Sequence, residues 1–273
     1  MAEFDLILET KNFQSKETIK NDLTELNIRP GDSLIVHSSM KSIGWLAGGA
    51  QAVIEALMET ITKEGTIVMP AQSAENSDPM YWMLPPVPED WHQPIRDTWP
   101  AYDPHLTPLR GMGKIAECFH RHPETIRSPH PAHSFMAWGK HAEEWMKEHP
   151  LEESFSEKSP LGKMIEEDVK LLLIGVGYDS CTALHLSEYR QEKITFSPQG
   201  AAMMINGKRE WKTYEMADVD SDRFPEIGEA FETAHPEAFH TGKIGQADVK
   251  LIQMKPLVEY GTTWLNEHPV VEE

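Results

Sequence analysis

The stretch LLLIGVGYDSCTALHLSEYR, residues 171–190, decides how this chain is read. Its apolar run, Leu171, Leu172, Leu173, Ile174 and Val176, is too short for a helix of its own and is bounded by glycine. Such a run suits a strand buried on both faces of a parallel sheet. Gly175 and Gly177 break the strand, and residues 178–181 make a short turn. Thr182, Asp179 or Ser180 is placed to cap a helix whose first turns carry His185 and Glu188. In open α/β folds, ligands sit where strands end and helices begin.

The spacing of that pair carries chemistry. Residues three apart share a helical face, and helical side chains lean back toward the N-terminus, so Glu188 reaches the ring of His185. The positive end of the helix disfavours imidazolium, which suits a base, and Glu188 stabilises the ring once it takes a proton. This is a base with its orienting carboxylate. The same spacing also fits a polar pair that merely satisfies itself at a helix start.

Outward from this stretch, strands and helices alternate. Residues 15–26 have helical spacing, with Ile19, Leu23 and Leu26 as the apolar stripe. Residues 33–37 form a strand, 49–62 a helix and 66–69 a second strand, so a parallel pair is expected. Residues 111–121 read as a helix, 134–138 as a strand, and 141–148 as a helix. Ser159-Pro160 opens another helix, with proline in its first turn. Beyond Arg190 the pattern becomes β-rich: residues 201–205, an Asn206-Gly207 turn, then 210–216. A helix at 226–234, a strand at 247–254 and a closing helix at 256–265 complete the chain.

Residues 70–108 stand apart. Proline is dense there, which excludes regular helix and central strand. The interspersed Tyr81, Trp82, Trp91, Trp99 and Tyr102 indicate an ordered loop packed on the body, a lid or binding loop.

A chain of 273 residues with 40% hydrophobic content buries a full core, here read as a single domain over residues 1–273 with the 70–108 insertion. Cys118 and Cys181 are too few for a disulfide framework or a cysteine-rich zinc site. The first residues, MAEFDLILETKNF, show no signal-peptide pattern, and no apolar run approaches the ~20 residues of a membrane span, so a cytoplasmic location is expected. A formal net charge of -19 argues against nucleic acid and anionic membrane and favours a cationic small molecule, wherever the acids cluster.

Several motif-like stretches fail on context. Gly111-Met112-Gly113 looks like part of a dinucleotide fingerprint, but a proline-rich loop precedes it where a strand is needed. Asp218, Asp220, Asp222 and Glu229 match positions of a calcium loop, yet Arg223 stands where that loop needs glycine. Thirteen histidines include no helical His-x-x-x-His pair, so no metal is expected.

Five blocks nevertheless occur together in a specific order. They are Val36-His37-Ser38-Ser39-Met40-Lys41-Ser42-Ile43-Gly44, then Gly65-Thr66-Ile67-Val68-Met69-Pro70, then Thr107-Pro108 before Gly111-Met112-Gly113. Arg127-Ser128-Pro129-His130-Pro131 before Ser134 and Thr182-Ala183-Leu184-His185-Leu186-Ser187-Glu188 follow. In this order they resemble the aminoglycoside 3-N-acetyltransferase family over residues 18–265. The resemblance implies a three-layer α/β/α sandwich of that family's own type, with the proline-rich insertion and a β-rich C-terminal part. It implies acetyl transfer from acetyl-coenzyme A to the 3-amino group of a 2-deoxystreptamine antibiotic, hence antibiotic resistance.

The family's catalytic histidine falls on His185 and its partnered glutamate on Glu188. Its coenzyme contacts map to His37, Ser38, Ser39, Met40, Lys41, Thr107, Arg110, Gly111, Met112 and Gly113. Its acceptor site is acidic. The candidates here are Glu75, Asp78, Asp103, Asp218, Asp220 and Asp222, of which Glu75, Asp218 and Asp222 are taken as the substrate residues. Cys181 is read as a small buried residue, since direct transfer needs no acyl-enzyme. A metal-dependent hydrolase using His185 and Glu188 as ligands stays open, as do an acyl-coenzyme A binder, transfer to a non-antibiotic amine, and a homodimer.

Overall fold

The computed structural model describes residues 3–269. Helices α1 (Glu3–Glu9) and α2 (Lys16–Glu25) precede strand β1 (Ser33–Ser38). A one-turn α3 (Met40–Ile43) and α4 (Gly49–Ile61) lead to β2 (Thr66–Pro70). After α5 (His92–Thr98) come α6 (Gly113–His120), β3 (Ile126–Arg127), β4 (Phe135–Gly139), α7 (Ala142–Met146) and α8 (Pro160–Ile165). Strand β5 (Val169–Ile174) and α9 (His185–Tyr189) are followed by the hairpin β6 (Phe196–Ile205) and β7 (Lys208–Ala217). The chain closes with α10 (Phe224–Ala234), β8 (Phe239–Ile244), β9 (Ala247–Gln253) and α11 (Met254–Glu267).

Seven strands form one sheet in the order β3-β4-β2-β1-β5-β9-β8. Its centre, β2-β1-β5, is parallel, as the strand–helix–strand pattern of residues 33–69 requires. The flanks are antiparallel, so β5 has a parallel neighbour on one side and antiparallel β9 on the other. Strand alternation divides the core in two. Leu172 and Ile174 pack with α2, α4 and α6, whereas Leu171 and Leu173 pack with α7, α8, α10 and α11. All four leucine and isoleucine side chains are buried, and the result is the expected α/β/α sandwich.

Two sequence expectations change. The proline-rich segment does hold a helix, α5, because Pro94 is its third residue, where a backbone N–H has no intrahelical partner to lose. Edge strand β8, carrying His240, Gly242 and Lys243, was not expected, since it lacks the apolar alternation of a half-buried strand. The aromatics of the insertion divide. Tyr102 ties it to the body, its hydroxyl donating to Ser128 O at 2.7 Å and its backbone N–H to Ala202 O of the hairpin at 2.8 Å. Trp82 instead meets Trp99 edge-on at 5.4 Å within the insertion, and Tyr81 and Trp91 are exposed, contrary to the expectation that all five pack on the body. The hairpin turns on Asn206 (φ 50°) and Gly207 (φ 77°), a pair of positive φ values that Asn-Gly tolerates.

Candidate active site

A cavity of about 330 Å³ opens at the C-terminal ends of the parallel strands. Strand β1 contributes Val36, His37 and Ser38, and the end of β2 contributes Met69 and Pro70 with Gln72 just beyond. Gly111 and Met112, at the start of α6, form the opposite wall. Asp179, Ser180, Thr182 and His185 close the side beyond β5, and Ser221 stands at the edge.

Gly175 (φ 64°) lets β5 end close against α3: a Cβ there would lie 2.3 Å from that of Ser42. Two 3-10 turns follow, Tyr178–Ser180 and Thr182–Leu184, and run straight into α9 at His185. No side chain caps α9, contrary to the expectation for Thr182, Asp179 or Ser180. The His185 N–H bonds carbonyls of the preceding turn, so the first helical donor is already answered by backbone. Thr182, Asp179 and Ser180 face the cavity instead, a role sequence reasoning missed because Asp, Ser and Thr before a helix look like caps.

His185 Nδ1 and Glu188 Oε2 lie 2.5 Å apart, with side chains 13% and 7% exposed. The second carboxylate oxygen, Oε1, accepts the backbone N–H of Asp220 at 2.7 Å. A carboxylate at Nδ1 selects the Nδ1–H tautomer and leaves the Nε2 lone pair available. The ring is held by aromatics: Phe155 stacks on it at 4.6 Å and 19°, and Phe224 meets it edge-on at 4.9 Å. Phe155 also stacks on His133, which in turn stacks on His130. Burial pushes His133 down to about 3 and His149 to about 4, so these histidines are neutral packing groups.

Of the residues mapped to the coenzyme, His37, Ser38, Gly111 and Met112 line the cavity. Ser39 caps α3, accepting from Ser42 N and Ser42 Oγ, and Met40 packs against the core. Thr107 is tied down, its carbonyl accepting from Arg127 at 2.6 Å and its hydroxyl from Asp103 N. Arg110 is exposed and donates to Leu84 O, while Lys41 and Gly113 are also exposed near the mouth. The first turn of α6 has no side-chain cap, so its N–H groups remain open to an anion.

The acidic candidates divide. Asp78 is paired with Arg96 at 2.7 Å, Asp103 accepts from His105 N and Leu106 N, and Asp220 caps its own turn through Asp222 N. Asp222 is exposed and is not the cap of α10, and Asp218 is exposed beside it. Glu75 keeps Oε2 buried without a partner. None of Glu75, Asp218 and Asp222 forms the cavity wall itself. Cys181 is fully buried and its thiol is pushed up to about 12, which leaves no nucleophile there. Among the described residues no group of three His, Cys, Asp or Glu could hold a metal ion, and no helix is long and apolar enough to cross a membrane.

The sequence profile of the aminoglycoside 3-N-acetyltransferases matches residues 35–266, which contain the entire cavity. The chain belongs to the aminoglycoside 3-N-acetyltransferase family. It is therefore an acyltransferase. It is 45% identical over 260 residues to the SPbeta prophage-derived aminoglycoside N(3')-acetyltransferase-like protein YokD of Bacillus subtilis, covering 94% of this chain and 95% of that one. It is 31% identical to aminoglycoside N(3)-acetyltransferase IX of Micromonospora chalcea, over 97% and 98% of the two chains. The crystal structure of YokD superposes with a TM-score of 0.95 over 98% of this chain and all of that one, at 42% identity. AAC-VIa bound to sisomicin superposes with a TM-score of 0.84 at 27% identity, over 95% of this chain and 100% of that one. AAC-IIIb in its binary complex with CoASH gives 0.84 at 26%, over 96% and 100%.

Proposed function

We propose that this acyltransferase moves the acetyl group of acetyl-coenzyme A to the 3-amino group of an aminoglycoside by direct attack, with His185 as general base, and so confers resistance. The observation that carries the reading is the His185–Glu188 contact, which frees Nε2 at a cavity bordered by Ser38 and Gly111 on one side and by the loop of Asp220 on the other. An ammonium group must lose a proton before it can attack a thioester, and an oriented neutral imidazole takes it. Glu188 then faces the imidazolium that forms.

Coenzyme A is polyanionic while the chain carries a formal charge of -19, so its phosphates need local donors. The open N–H groups at the start of α6, with Lys41, Arg110 and Lys114 nearby in sequence, supply them. On the other side, Asp218, Asp222 and Glu75 would attract a polycationic acceptor. AAC-IIIb with CoASH and AAC-VIa with sisomicin are similar folds that bind each kind of ligand.

A second acceptor class is favoured by one feature: the only carboxylate among the cavity-lining residues is Asp179. A smaller, less charged amine suits such a wall. Thiol release from acetyl-coenzyme A, measured with sisomicin and with a panel of monoamines and polyamines, tests both. Turnover with sisomicin supports the aminoglycoside reading, turnover confined to other amines replaces it, and no thiol release with any amine contradicts acetyl transfer.

A further inference from the structure

Strand β1 sends Val36 into one core and Ile35 into the other, so His37 lies on the Ile35 face of the sheet, the side covered by residues 183–186. The imidazole is 7% exposed, lines the cavity, and keeps Nε2 buried with no hydrogen-bond partner. Buried polar atoms in folded proteins are seldom left so, which directs attention to a partner that the chain does not supply. Burial pushes His37 down to about 4, and the nearby His185 adds to that. The ring is thus a neutral imidazole with one N–H to donate. Its chain neighbour is Ser38, on the side of the cavity that the proposed function gives to the coenzyme, and its electrostatic neighbour is His185. Where coenzyme and base meet, the thioester carbon must lie.

We infer that His37 is a further catalytic residue, whose neutral imidazole N–H donates to the thioester carbonyl oxygen and stabilises the oxyanion formed as the amine attacks. This rests on the acetyl-transfer reading above. After His185 has passed the ammonium proton on to solvent, the amine lone pair forms the N–C bond while the carbonyl π pair moves onto oxygen, and His185 Nε2 receives the proton that the bonded nitrogen then sheds. The oxyanion then collapses, the C–S bond breaks, and the thiolate leaves with its electron pair and takes the proton back from His185. His37 takes no part in the proton transfer, since its ring has little affinity for a second proton and a neutral imidazole N–H acts as a hydrogen-bond donor. Single donors to an oxyanion contribute roughly 10²–10³-fold in kcat.

The test uses a dethia analogue of acetyl-coenzyme A, in which a methylene replaces the sulfur, carrying a ¹³C carbonyl. Its infrared stretch is read free and bound to wild type, His37→Leu and His37→Gln, beside acetyl-transfer kinetics. The inference expects a lowered stretch in wild type and its return toward the free value in His37→Leu. It also expects ~10²-fold slower turnover in His37→Leu and a smaller loss in His37→Gln, which keeps an N–H donor. A carbonyl that binds wild type without any lowering overturns the inference, and this measurement does not depend on a variant folding. Equal stretches in wild type and His37→Leu, or turnover in His37→Leu within about threefold of wild type, also overturn it. Failure of wild type to bind the analogue overturns the coenzyme reading as well.

Discussion

Glu188 Oε1 accepts the backbone N–H of Asp220 at 2.7 Å while Oε2 of the same carboxylate holds His185. The group that orients the His185 ring therefore also pins the loop that carries Asp218 and Asp222. Both donors need an acceptor, and a carboxylate offers two where an amide offers one. Glu188→Gln must disappoint either His185 or Asp220. We expect a folded enzyme with kcat lowered by roughly 10²–10⁴-fold, the range of general-base catalysis. A kcat equal to wild type would contradict this double role.

Phe155 stacks on both His133 and His185, at 4.7 and 4.6 Å. Its fully buried ring fixes the plane of the His185 imidazole as well as filling the core. Phe155→Ala should cost about 3–5 kcal/mol of stability, as for other buried phenylalanines. Phe155→Leu, which keeps most of the volume, should retain the fold but lose the stacking, worth about 0.5–1.5 kcal/mol. Urea unfolding checks stability, and kcat against KM for Phe155→Leu checks positioning: kcat should fall with the coenzyme KM unchanged.

The buried histidines give stability a pH dependence of definite sign. In the unfolded chain they take protons near pH 6.5. In the fold His133 resists until about 3, and His149 and His37 until about 4. Folded affinities for protons are lower, so stability is complete above about pH 6.5 and declines as pH falls from there to about 4 for His149 and His37 and to about 3 for His133. Each group contributes a slope of up to about 1.4 kcal/mol per pH unit. His149→Gln should flatten the decline by about one proton's worth, measured by urea unfolding between about pH 7 and pH 5. An unchanged slope would mean that His149 titrates normally in the fold.

Asp222 is exposed and is not needed as a cap, since Asp220 caps that turn. If its charge attracts the acceptor, salt should raise the KM for an aminoglycoside much more than the KM for acetyl-coenzyme A, the field being screened over about 8–10 Å. Asp222→Asn should reproduce part of that rise and flatten the rest. Equal salt sensitivity of the two KM values, in wild type and variant, would make Asp218 and Asp222 a solvated surface only.

The central frame was readable because its signals are local. Leu171–Ile174 and the run of residues 33–38 are too apolar and too short for anything but buried strands, and the His185–Glu188 spacing follows from helix geometry. What escaped notice depends on contacts distant in sequence. Nothing near Glu188 announces that its second oxygen takes an amide 32 residues away. The stacking of His130 and His133 behind Phe155 is a tertiary arrangement of residues that, in the sequence, only fail a metal spacing. Arg127, at the end of β3, is bonded to Ser134 Oγ, Thr107 O, Ala71 O and Ser73 Oγ and so joins three separate segments, and a single arginine in the sequence gives no such hint. The six acids looked equivalent in composition and were separated only by their partners, Asp78 by Arg96 and Asp103 by its own turn.

Steady-state acetyl transfer from acetyl-coenzyme A to sisomicin, with thiol release as the readout, should show kcat lowered by at least ~100-fold in His185→Ala. Coenzyme binding, measured by calorimetry on the same variant, should remain within a few-fold of wild type, because the ring acts on the acceptor's proton. A folded His185→Ala enzyme that acetylates sisomicin at near wild-type rate would contradict the assignment of His185 as the base.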